Sequence, residues 1–276
     1  MSPDFIPHHA LVTATSGAAP DRWMLVLHGI LGSGANWRTF ARRMAEARPG
    51  WGFILVDLRA HGQSQDPPAP HTLAAAAEDL VRLGDQLRLN IRGVMGHSFG
   101  GKVALAYLAR RPGQVERAFV LDSDPSARPE GQRDQSSRRV LDVLMALPQP
   151  LASREAFFAH AQDHGLSRAI TDWLAMNVRR EGDVFRLRLD LAVLSTLLDD
   201  YFSADLWPVL EDPQSSAQLR VVLGGRSTTV PADVRARLEA LTERAPWLSV
   251  RVLEQAGHWV HVDDPDGLFA AVTELL

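Results

Sequence analysis

The 276-residue sequence contains no cysteine. That absence excludes disulfides, a cysteine nucleophile and thiolate metal sites, while saying little about compartment. Charge of one sign is also scarce: 29 Lys and Arg stand against 33 Asp and Glu, for a formal net charge of −4, and the arginines are dispersed. Nothing in this balance attracts a polyanion, so no nucleic-acid partner is expected. No apolar stretch approaches the ~18 residues that cross a bilayer, so no membrane span is expected. The start, Met1-Ser2-Pro3-Asp4-Phe5, has no basic segment leading into an apolar core, and the expected compartment is the cytoplasm. No Walker loop or G-x-G-x-x-G follows a strand-like run, which removes nucleotide binding. His8 and His9 are adjacent and do not converge on one ion unaided, so no metal is expected.

What is present is material for a large core: 46% of residues are hydrophobic. Short apolar runs, suited to buried parallel strands, fall at Trp23 to Leu27, Phe53 to Val56, Ile91 to Met95, Ala118 to Leu121, Leu219 to Leu223 and Val250 to Leu253. Between them Trp37 to Ala47, Leu73 to Leu87, Lys102 to Arg111 and Ala232 to Ala245 are long enough to be crossover helices. The pattern predicts an α/β fold with a mostly parallel central sheet and helices on both faces. The rhythm breaks after Asp122. A polar stretch, Ser123 to Ser137, leads into helical spacing at Val140, Leu141, Leu144 and Met145, ended by Pro148 and Pro150. This reads as a helical cap over residues 123–212, inserted between core segments 1–122 and 213–276. Its interior would draw on Phe157, Phe158, Trp173, Met176, Phe185, Leu194, Tyr201 and Trp207.

Chemistry concentrates at strand ends. Gly96-His97-Ser98-Phe99-Gly100 is a G-x-S-x-G pentapeptide between a strand-like run and an alanine-rich helical stretch. Two residues without a β-carbon let strand and helix approach closely while Ser98 takes a strained conformation that exposes its hydroxyl. A serine hydroxyl is a poor nucleophile at neutral pH and needs a base, and the base needs a carboxylate to orient it. His258, in Ala256-Gly257-His258-Trp259 just beyond the last strand-like run, can return to the sheet edge that carries Ser98. The loop Gly224-Gly225-Arg226-Ser227-Thr228-Thr229 offers no carboxylate, whereas Val120-Leu121-Asp122-Ser123-Asp124-Pro125 offers two. Asp122, at the end of a buried strand, needs a partner, and a histidine supplies one. Asp124 is its local rival, more easily a solvated turn residue or helix cap.

Negative charge developing on the substrate calls for amide donors. Phe99, directly after the nucleophile, provides one, and the loop His28-Gly29-Ile30-Leu31-Gly32 the other, Ile30 first and Leu31 second. Leu31 and Trp259 are the candidate apolar contacts to substrate. His28 and His97 read as loop organisers, His261 as a bystander behind the base, and Asp57-Leu58-Arg59-Ala60-His61-Gly62-Gln63-Ser64 as a turn tying neighbouring loops together.

With these stretches in place the chain resembles the α/β-hydrolase superfamily, and within it the small cap-bearing serine carboxylesterases typified by bacterial acyl esterases and mitochondrial α/β-hydrolase-domain esterases. That branch is similar in having Gly-Gly-x-Ser after the later strand and an aspartate before a proline turn earlier, which supports Asp122. Phe99 departs from its usual methionine and keeps the backbone donor. The resemblance implies a cap inserted after the sixth strand. It also implies hydrolysis of short- to medium-chain acyl esters or thioesters through an acyl-enzyme, without a cofactor. Other reactions of the same triad stay open, namely lactone opening, carbon–carbon bond hydrolysis and perhydrolysis, as does a non-enzymatic ligand-binding protein on this fold.

Overall fold

The computed structural model describes residues 5–128, 135–212 and 217–276. The chain runs β1 (His9–Val12), β2 (Arg22–Leu27), α1 (Arg38–Ala47), β3 (Trp51–Val56), α2 (Leu73–Leu87), β4 (Ile91–His97), α3 (Phe99–Arg110) and β5 (Arg117–Leu121). The insert follows with α4 (Gln135–Met145), α5 (Arg154–Asp163), α6 (Arg168–Leu174), β6 (Val178–Glu181), β7 (Val184–Leu187), α7 (Leu191–Ser203) and α8 (Trp207–Glu211). The core resumes with β8 (Gln218–Gly224), α9 (Ala232–Thr242), β9 (Leu248–Leu253), α10 (Val260–Asp263) and α11 (Pro265–Thr273).

Seven strands form one sheet in the order β1-β3-β2-β4-β5-β8-β9, parallel except for β1, which pairs antiparallel with β3. Alternate side chains feed opposite faces, as period-two geometry requires. Leu25, Leu27, Ile54 and Val56 join α2 and α3 on one side. Met24, Val26, Phe53 and Leu55 join α1 and α11 on the other. All six expected runs lie in strands of this sheet; β1 is an addition to them, too short and half-buried to carry a pattern. Four of the six runs precede the insert, and β1 makes five, so the insert leaves after the fifth described strand in chain order and not after the expected sixth. The insert is mainly helical but also holds the hairpin β6–β7, paired Val178 to Leu187, a charged segment too short for helical periodicity. Met176, expected inside the cap, is 43% exposed, whereas Phe157 and Leu194 are fully buried. Residues 129–134 of the expected polar stretch, residues 213–216 at the expected return to the core, and Met1–Asp4 lie outside the described residues.

The sheet order reverses between β2 and β4, whose following loops leave in opposite directions. Such a switch point opens a crevice at the carboxyl edge of the strands. The loop after β2 and the turn after β4 both border that crevice.

Candidate active site

Ser98 occupies the junction of β4 and α3 with φ 52° and ψ −118°, a region an L-residue enters only under constraint. The constraint is steric. A β-carbon at Gly96 would stand 1.9 Å from the carbonyl oxygen of Gly100, and one at Gly100 would stand 2.6 Å from that of His28. Strand, helix and oxyanion loop therefore pack backbone to backbone. Ser98 donates its N–H to the Leu121 carbonyl at 2.9 Å, which fixes the elbow to β5.

Asp122 follows β5 with φ 42° and is fully buried. Its Oδ1 accepts the Gly224 N–H at 3.0 Å, and its Oδ2 accepts the Ser227 hydroxyl. The same Oδ2 stands 2.7 Å from His258 Nδ1. A carboxylate here can only accept, so Nδ1 carries the proton and Nε2 is left with its lone pair. Thr229 Oγ1 also lies 3.0 Å from Nδ1. The loop after β8, which has no acid of its own, thus furnishes donors for an acid carried by β5. Sequence reasoning assigns Ser227 and Thr229 no role; three hydroxyl residues at a strand end facing a carboxylate-free acid position were the available signal.

Asp124 is neither solvated nor a cap. It is buried, pairs with Arg128 Nε at 2.6 Å and accepts the Ser126 N–H at 2.9 Å. Asp124 is therefore committed elsewhere, and Asp122 alone of the two meets His258.

The Phe99 N–H begins α3, where no intrahelical acceptor exists, and neither it nor the Ile30 N–H has an acceptor among the described residues. Leu31, the second choice as donor, spends its N–H on His61 Nε2 at 3.0 Å. Together with the bond from His61 Nδ1–H to the Arg59 carbonyl at 2.9 Å, that contact makes the octet after β3 the support that holds the oxyanion loop. His28 acts likewise, accepting the Leu58 N–H on Nε2 at 2.9 Å and donating from Nδ1 to the Gly29 carbonyl at 2.8 Å. Burial keeps both rings neutral, pulling His28 down to about 4 and His61 to about 3, the latter helped by the neighbouring His28. Asp57 completes this support by accepting the Gly34 and Gln63 amides at 2.8 and 2.9 Å. Arg59 and Asp79 form a buried ion pair at 2.7 Å.

His97 sits beside His258, ring centroids 4.7 Å apart, and donates from Nε2 to the His258 carbonyl at 2.8 Å. Burial drives its pKa well below the usual imidazole value. His261 stacks on Trp37 at 4.4 Å and is pulled to about 4 by burial. His8 binds Asp57, and among the described residues no group of three or more His, Asp or Glu could hold a metal ion.

Two cavities meet at Ser98, Ile30 and His258. The larger, about 820 Å³, is bounded by Leu31, Trp37, Ile170, Trp173, Trp259 and Val262 among others. Leu31 and Trp259 are both part of its wall, and Trp259 packs on the cap's Trp173 at 5.7 Å. The smaller, about 100 Å³, is bounded by Phe99, Lys102, Asp124, Arg128 and the α7 residues Leu198, Tyr201 and Phe202. No hydrogen bond joins Ser98 Oγ to His258 among the described residues; elbows of this kind often tighten only around substrate.

The model of one family, described as the alpha/beta hydrolase fold, matches residues 22–265. This chain belongs to the α/β-hydrolase family. Among similar proteins is one from Mus musculus named sn-1-specific diacylglycerol lipase ABHD11, 31% identical over 261 residues that span 92% of this chain and 80% of its own. Its Danio rerio namesake is 26% identical over 259 residues, spanning 92% of this chain and 78% of its own. A solved structure described as a marine microorganism esterase superposes with a TM-score of 0.84 at 20% identity, covering 99% of this chain and 100% of that one. As an α/β-hydrolase the chain carries its candidate residues on strand-end loops after β2, β4, β5 and β9. Among the described residues no helix is long and apolar enough to cross a membrane.

Proposed function

We propose that this α/β-hydrolase is a serine carboxylesterase cleaving short- to medium-chain acyl esters or thioesters through an acyl-enzyme. The reading rests chiefly on the pairing of buried Asp122 with half-buried His258, 2.7 Å apart, beside a strained serine at the meeting of two cavities. His258 Nε2 takes the Ser98 proton as Oγ attacks the acyl carbon, and the Ile30 and Phe99 amides hold the oxyanion. The protonated imidazole then gives its proton to the departing alcohol or thiol. A water, deprotonated by the same nitrogen, attacks the acyl carbon, and the imidazolium returns that proton to Ser98 Oγ as the acyl–oxygen bond breaks and the acid departs. Asp122 keeps the proton on Nδ1 throughout and stabilises the imidazolium. The apolar walls of the large cavity suit an acyl chain, and its volume lies in the range of small-molecule sites. The relative named as a diacylglycerol lipase favours esters of apolar acids.

A series of nitrophenyl esters of increasing chain length tests this, together with fluorophosphonate labelling. Turnover and labelling are expected of the native chain and neither of Ser98→Ala. Hydrolysis by Ser98→Ala at the native rate would dismiss the proposal.

A further inference from the structure

Lys102 lies on α3 one helical turn after Ser98 and is 1% exposed. A buried ammonium demands acceptors, and Lys102 has three. Its Nζ donates to the carbonyls of Ser126 at 2.8 Å, Tyr201 at 2.6 Å and Ala204 at 2.8 Å. All three N–H bonds are spent on backbone. The ammonium also stands 4.5 Å from the centre of the Tyr201 ring. Burial pulls its pKa to about 8 while Asp124, Asp205 and Asp200 oppose that pull and Arg128 adds to it. At neutral pH the side chain is still a cation with three donors.

The positions of the three acceptors are informative. Ser126 belongs to the segment by which the chain leaves the core for the cap. Tyr201 and Ala204 belong to the segment by which it comes back. The two segments run side by side and are bonded to each other: the Arg128 N–H donates to the Phe202 carbonyl at 2.7 Å, and the Leu206 N–H to the Pro125 carbonyl at 2.9 Å. Trp207 Nε1 adds a bond to Ser126 Oγ at 2.9 Å. Together they form a narrow neck, and Lys102 is bonded to both of its sides. Tyr201 lies in the last turn of α7 and Ala204 caps it, where the last carbonyls have no partner within the helix and the dipole favours a cation.

We propose that Lys102 is a positioning residue that locks the neck of the cap to the nucleophile helix and so holds α7 as the wall of the smaller cavity beside Ser98. Three of that cavity's bounding side chains, Leu198, Tyr201 and Phe202, are on α7. The reacting groups, Ser98, Asp122, His258 and the two amides, all sit on core elements. Release of the neck therefore displaces one wall of the binding space without moving the nucleophile, base or acid. Two further side-chain ties join α7 to the core: Asp200 Oδ2 accepts the Leu73 N–H at 2.7 Å, and the Tyr201 ring packs near that of Phe99, centroids 6.0 Å apart.

This inference rests on the esterase reading for its kinetic arm alone. In Lys102→Met, which keeps the length and loses the donors, KM for a nitrophenyl ester is expected to rise about tenfold or more. The expected change in kcat is less than about threefold, because lost binding that is uniform along the reaction moves KM alone. A kcat loss larger than the KM rise, or no change in either, would overturn the proposal. The second arm is hydrogen exchange on the native chain, read at the Arg128 and Leu206 amides. Protection comparable to that of β4 and β5 is expected, and exchange at the rate of an open loop would overturn the lock. That arm decides even if Lys102→Met does not fold. Should the native chain hydrolyse no ester, the esterase reading falls while the exchange measurement still judges the neck.

Discussion

Replacing Asp122 by asparagine separates the electrostatic role of the acid from its shape. The carboxylate now accepts three bonds, from the Gly224 N–H through Oδ1 and from Ser227 and His258 through Oδ2. An amide has one oxygen and one NH₂ group, so one side of this arrangement must fail. If the oxygen keeps Gly224, the NH₂ donates to His258 Nδ1; the ring proton then moves to Nε2, which can no longer accept from Ser98. If the oxygen turns to His258, the NH₂ faces the Gly224 N–H, leaving two donors opposed in a fully buried place at a cost of about 1–3 kcal/mol. The first outcome removes the base and is worth about four decades in kcat, or roughly 5.5 kcal/mol at 1.36 kcal/mol per decade. The second retains some activity and loses stability. Steady-state kinetics on a nitrophenyl ester, paired with a urea midpoint, reads both. Asp124→Asn serves as the contrast: it weakens the ion pair with Arg128 beside the smaller cavity, so KM should respond more than kcat. Activity of Asp122→Asn within tenfold of native, with unchanged stability, would refute the assignment of the acid.

Two further outcomes follow from the same geometry. Ser227→Ala removes a hydroxyl donor from a buried carboxylate, a charge-assisted bond worth about 1.5–3 kcal/mol; kcat/KM should fall roughly ten- to hundredfold, and an unaffected variant would show that Ser227 is a passive neighbour. Acid should destabilise the fold through four histidines that burial holds neutral, His28 and His261 down to about 4, His61 to about 3 and His97 well below its ordinary value. Their folded pKa values lie below 6.5, so the unfolded chain binds more protons in acid. The stabilisation is complete above pH 6.5 and drains as pH falls toward 4 and 3, at about 1.4 kcal/mol per histidine for each pH unit. Urea midpoints measured at pH 7.5, 6.5 and 5.5 should be similar for the first two and clearly lower for the third; a midpoint unchanged at pH 5.5 would contradict the burial of these rings.

Much of the site was readable because its residues sit where strands end. An apolar run followed by a glycine-flanked serine, and a glycine-histidine pair after the last run, specify position as well as chemistry, and the absence of a carboxylate after β8 directed attention to Asp122. The hydrogen bonds of Leu31, Asp124 and Lys102 were not readable. Each is decided by a partner outside any sequence pattern. For Leu31 it is His61 and for Lys102 the end of α7, both distant in the chain. Arg128 is only four residues from Asp124, yet it sits in an irregular segment without periodicity to place it. The strand β1 escaped for a different reason: four residues at a sheet edge, three half-buried and Leu11 exposed, bury too little to leave a pattern.

The neck of the cap has a consequence for how this chain can vary. Because the outgoing and returning segments meet, as at Pro125 and Leu206, the sheet sees a closed loop whose ends are already together. The entropy of closing such a loop grows only slowly with its length. The core accordingly tolerates change in how many residues lie beyond the neck, provided the Ser126, Tyr201 and Ala204 carbonyls remain to receive Lys102. Substrate choice can drift through insertion, deletion or exchange of the cap beyond the neck while the hydrolytic machinery stays as it is.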